Sequence, residues 1–161
     1  MNKLQLTSAA FANEASIPQR YTCEGQNVSP PLTWTGVPAE TRSFALILDD
    51  PDAPDPRAPK RTWVHWVVFG IAPSARGFAE DVAKNGLPEG AREASNDWNH
   101  AGYDGPCPPV GRHRYFHKLY ALDVALTGLD GKSTKAEVEH AMQGHVIAQV
   151  SLMGTYQKRA R

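Results

Sequence analysis

The chain has no surplus of charge: seventeen basic and seventeen acidic side chains cancel over 161 residues. No basic cluster exceeds the tail of Lys158, Arg159 and Arg161. The electrostatic footprint needed for nucleic acid or an anionic membrane surface is therefore missing. No apolar run approaches the roughly 20 residues of a membrane-spanning helix. The opening MNKLQLTSAAFANEAS has one lysine and no apolar core of secretory-signal length. These absences predict a cytoplasmic protein with no membrane span and no nucleic-acid partner. Cysteine is scarce as well. Cys23 and Cys107 fit no metal-ligand spacing, and a reducing compartment would keep them as thiols; pairing them would require export. H-E-x-x-H, G-x-S-x-G and a phosphate-cradling glycine loop are all lacking, so no motif supplies a zinc site, an activated serine or a nucleotide cradle.

Turn formers and strand formers are plentiful. Thirteen glycines and thirteen prolines lie among short runs rich in Val, Ile, Phe, Trp and Tyr, the pattern of many strands joined by irregular loops. The length suits one compact domain, residues 1–161. The expected fold class is all-β with a few helices. Strands are predicted at residues 4–8, 18–23, 32–34, 44–48, 62–71, 113–123 and 146–156, with a further short strand within 91–99. The run at 44–48 is continuously apolar, as in a strand covered on both faces, and Asp49 and Asp50 are expected to end it because the following D-P-D-A-P cannot continue a ladder. Alternation puts Trp63, His65, Val67 and Phe69 on one face of the next strand, with Val64, Trp66 and Val68 on the other. In H-R-Y-F-H-K-L-Y it puts His113, Tyr115, His117 and Leu119 together, opposite Arg114, Phe116, Lys118 and Tyr120. Thr134 and Glu137 form a T-x-x-E capping box for a helix of about three turns, which Gly144 stops.

Taken singly, the polar residues in these runs have ordinary structural explanations. Asp50 and Asp52 around a proline make a turn, and a lone His65 in an apolar strand is a core histidine bonded to a carbonyl. Taken together they suggest a site. Two imidazoles and one or two carboxylates, rimmed by Trp63, Tyr103 and Tyr115, would offer N–H and O–H donors to a small anion, with the carboxylates orienting the imidazoles and raising their protonated fraction. Arg114 alternates to the other face and reads as a structural partner.

The chain resembles the phosphatidylethanolamine-binding protein family, also called Raf kinase inhibitor-like proteins, in its bacterial and archaeal branch. The resemblance rests on YTCEGQNVSPPLTW at 21–34, DDPDAP at 49–54, WVHWVVF at 63–69, GYDGPCPPVGRHRYFHKLYALD at 102–123 and GHVIAQVSLMGTY at 144–156. It implies a β-sandwich of two antiparallel sheets with Greek-key connections, and a small anion pocket at one end. Position by position, the D-P-D-x-P acids fall on Asp50 and Asp52, the aromatic strand supplies Trp63 and His65, and the G-x-H-R strand supplies His113 and Tyr115. The preceding loop adds Tyr103, Gly105, Pro108 and Pro109. Cys107 stands where animal members often have glycine.

The implied ligand is phosphate, acetate or a phospholipid head group, bound without cofactor, metal or catalytic residue. The family name further implies a protein partner such as a kinase, and bacterial relatives imply a homodimer. The competing reading is an enzyme in which His65, His113 and Asp50 hydrolyse a phosphoester.

Overall fold

A computed structural model describes residues 3–159 of the chain. Its strands are β1 (Gln5–Thr7), β2 (Leu32–Thr35), β3 (Ser43–Ala53), β4 (Arg61–Ile71), β5 (Gly77–Phe78), β6 (Arg92–Glu93), β7 (His113–Leu122) and β8 (Val146–Tyr156). The helices are α1 (Val82–Asn85) and α2 (Lys135–Met142). All strand pairs are antiparallel, in one sheet ordered β1-β2-β5 and a larger one ordered β6-β4-β3-β7-β8. Among the described residues no helix is long and apolar enough to cross a membrane.

The alternation of β3 organises the packing. Phe44, Leu46 and Leu48 face the small sheet and meet Leu6, Trp34 and Phe78 in the main core. Ala45 and Ile47 face the other way and pack with Val64, Val67, Val138 and Met142 beneath α2. Both faces of this strand are thus covered, as its unbroken apolar run predicts. Helix α2 begins at the expected capping box, with Thr134 accepting from the Glu137 N–H and Glu137 reaching back to the Thr134 N–H. It is shorter than the three turns expected, because Gln143 is already extended after eight helical residues.

Several other expectations are corrected. Residues 18–23 form no strand: local bonds from Tyr21 N–H to the Pro18 carbonyl and from Thr22 N–H to the Gln19 carbonyl turn the chain through Gln19–Tyr21. Asp49 and Asp50 do not end β3, which continues through Pro51 to Ala53. Its pairing with β7 runs only to Asp49 opposite Phe116, and the register against β4 shifts between Asp50 and Ala53, so Pro51 is asked for no regular ladder bond. The uniform alternation of β4 also fails. Trp66 pairs with Leu48 and Val64 with Asp49, which leaves His65 as the extra residue of a bulge. Beyond it Trp66 and Val68 enter the main core while Val67 and Phe69 join the cluster under α2. Finally, Cys23 and Cys107 are not free thiols but a disulfide joining positions 84 residues apart.

His117 is buried in the main sheet, its Nδ1–H donating to the Leu152 carbonyl at 3.2 Å and its ring 5.5 Å from that of Phe11. Burial pushes its pKa from 6.5 down to about 4. Between those values the unfolded imidazole binds a proton that the folded one refuses, so acid favours unfolding. We expect stability to fall as pH drops through this window, by up to about 1.4 kcal/mol per pH unit for one such group. In His117→Leu the pH slope of the urea midpoint should become shallower; an unchanged slope would assign the acid sensitivity to other groups.

Candidate functional site

The ends of β3, β4 and β7 meet two loops around a cavity of about 260 Å³. Its lining comprises Asp50 and Ala53 from β3, Trp63 and His65 from β4, His113 and Tyr115 from β7, Pro54, Trp98, Cys107, Pro108 and Pro109. The alternation of β7 is regular here, so His113 and Tyr115 share the inner face, both fully buried.

The floor is a buried ion pair. Asp50 Oδ2 lies 2.6 Å from His113 Nδ1, and Asp50 Oδ1 accepts the Asp52 N–H at 2.7 Å. The other ring nitrogen, Nε2, faces the Val110 carbonyl at 2.8 Å. Oxygen atoms therefore stand at both nitrogens of His113 and fix the orientation of its ring.

His65 behaves differently. Its Nδ1 is 2.6 Å from the Asp104 carbonyl, which can only accept, so the proton sits on Nδ1. Burial holds its pKa below the usual 6.5, outweighing the Asp104 contact and the nearby carboxylates. The carboxylates do favour the protonated ring, as expected, but burial prevails over them. At neutral pH its Nε2 is a lone-pair acceptor.

Two of the lining side chains carry buried donors that lack acceptors: the Tyr115 hydroxyl and the Trp63 indole N–H. Burial raises the Tyr115 pKa strongly, keeping the hydroxyl protonated; the Cys107 backbone N–H opposes this weakly and leaves the O–H proton unused. Leaving such a donor buried and unpaired costs about 1–3 kcal/mol.

Other expected residues build the surroundings without lining the cavity. Asp52 accepts from Arg114 Nε at 3.0 Å, Arg114 Nη2 at 2.8 Å and the Arg114 backbone N–H at 2.9 Å. The Arg114 side chain is the chief reason its pKa lies below the ordinary carboxylate value. Tyr103 donates its hydroxyl to the Tyr21 carbonyl at 2.6 Å and sets its ring edge-on to Trp66. Gly105 donates its N–H to Asn27 Oδ1 at 2.8 Å. With the Cys23–Cys107 bond and the Cys23 N–H donating to the Pro106 carbonyl, these contacts brace the 103–107 wall against the 21–27 loop.

Ala53, Pro54, Trp98 and Cys107 line the cavity without being among the expected site residues, and Trp98 is the largest of them. Its loop is built on Asn96, whose Oδ1 accepts the N–H groups of Trp98 and His100 while its Nδ2 donates to the His65 and Gly102 carbonyls and to Asp104 Oδ2. The available signal was a lone indole inside a polar N-D-W-N run. Among the described residues no group of three or more His, Cys, Asp or Glu side chains is placed to hold a metal ion.

Two antiparallel sheets with few helices, and a half-aromatic cavity at the strand ends, define an all-β protein of sandwich type. The phosphatidylethanolamine-binding protein family model matches residues 7–157, and the chain belongs to that family. A UPF0098 protein of Methanothermobacter thermautotrophicus is 48% identical over 156 residues, covering 96% of this chain and 99% of the relative. A phosphatidylethanolamine-binding protein homologue from Chlamydia trachomatis has a crystal structure that superposes with a TM-score of 0.87 at 41% identity, over 99% of this chain and all of that one. YbcL of E. coli, described as a member of the mammalian family, superposes with a TM-score of 0.88 at 34% identity, over 98% of this chain and 99% of its own.

Gly105 gives a direct test of the wall. A Cβ there would lie 2.1 Å from the Tyr21 carbonyl oxygen, 2.7 Å from Asn27 Oδ1 and 2.9 Å from the Tyr103 hydroxyl. Gly105→Ala should therefore lower stability by about 1–3 kcal/mol, read as a lower urea midpoint. A neutral substitution would show that the two loops part without cost.

Proposed function

We propose that the chain is a non-enzymatic binding protein whose cavity takes the phosphate- or carboxylate-bearing end of a small ligand. The observation that carries this reading is the pair of buried, unpaired donors on Tyr115 and Trp63. Both side chains line the cavity, an anionic oxygen that reached either donor would satisfy it, and hydrogen bonds to a charged group are the stronger kind. The floor is compatible with a negative ligand because the Asp50 carboxylate is already matched by His113. His65 Nε2, as an acceptor, suits the hydroxyl of a hydrogen phosphate or a protonated acid. Membership of a family named for binding phosphatidylethanolamine agrees with a phosphate-bearing head group as ligand.

Inorganic phosphate should raise the thermal midpoint in a concentration-dependent way, approaching about 2.7 kcal/mol of protection at a hundred times Kd. Tyr115→Phe should weaken phosphate binding by about tenfold or more while changing the stability of the ligand-free protein by less than about 1.5 kcal/mol, since the phenyl ring removes an unused O–H donor together with the acceptor of the Cys107 N–H. Absence of any shift with phosphate in the unaltered protein, or phosphomonoester turnover that vanishes in His113→Ala, would overturn the reading.

A further inference from the structure

Asp50, His113 and Tyr115 stand at one end of a chain of rings along the cavity, and the exposed indole of Trp98 stands toward the other. Ring contacts run from His113 to Tyr115 at 6.3 Å, from Tyr115 to His65 at 5.2 Å, from His65 to Trp98 at 5.1 Å and from Trp98 to Trp63 at 5.3 Å. Asp50 sits at the His113 end of this chain. Trp98 sits beyond His65, and Pro54, Pro108 and Pro109 add apolar wall to the same cavity. The volume of about 260 Å³ is several times what one tetrahedral oxyanion fills, given that a water takes about 30 Å³.

Resting on the anion reading above, we infer that the cavity contains a second subsite, walled by Trp98, for a planar apolar group carried by the anion. The preferred ligand class is then an aryl phosphate or aryl carboxylate, not the bare inorganic ion. The indole is 44% exposed, and neither neighbouring ring stacks on it: Trp63 meets it at 73° and His65 at 70°. A flat substituent entering beside His65 finds an unstacked aromatic surface. That surface is already ordered, since the Trp98 backbone N–H is held by the buried Asn96 at 2.9 Å. Covering it therefore gains apolar burial and ring contact with little additional ordering of the protein.

Isothermal titration of the full chain with inorganic phosphate and phenyl phosphate, and with acetate and benzoate, tests the subsite. Each aryl anion should bind about tenfold or more tightly than its small counterpart. In Trp98→Ala that ratio should collapse to within about twofold, and Trp98→Phe, which keeps a ring, should retain most of it. If phosphate binds and phenyl phosphate does no better, or if the ratio survives in Trp98→Ala, the subsite is refuted while the anion reading stands. If no anion binds, the anion reading fails and the subsite falls with it.

Discussion

The site depends on one buried ion pair, His113 with Asp50, at the point where β7 begins and β3 is about to leave the sheet. Burying either charge alone would be strongly unfavourable, so the two strands must deliver both partners together. They do so through an irregularity. In a regular strand Asp50 and Asp52 would share a face, yet the shifted register around Pro51 parts them: Asp50 turns inward to His113, and Asp52 turns outward to the bidentate Arg114. Successive residues of β7 are thereby each matched to an acid of β3. The outward pair fastens the strand end that the inward pair needs.

The same irregularities mark the boundary of what could be read from sequence. Apolar runs and period-two alternation identified β3, β4, β7 and β8, and the capping box located the start of α2, because those features depend on local chemistry and on burying a face. The split between Asp50 and Asp52 could not be read that way. It follows from a register shift against β4, a relation between segments that a single strand does not encode. The His65 bulge is of the same kind, and so is its lowered pKa, where the depth of burial outweighs the carboxylates that the composition of the site suggested. Tyr103 and Gly105, expected by resemblance among the binding residues, do not line the cavity, because their side-chain and backbone groups are spent on Tyr21 and Asn27. The Cys23–Cys107 bond lay beyond reach for another reason. Spacing says nothing of which distant loops touch, and the compartment argument pointed to thiols.

The loop centred on Asn96 divides labour between a backbone and a ring. Its frame is set by a single buried carboxamide that grips the backbone of Trp98, His100, Gly102 and His65, while the Trp98 ring leans edge-on against His65 and Trp63. The carboxamide is in effect a bracket and the indole the fitting it carries: loss of the first would let go of the whole loop, and loss of the second only of the ring contacts.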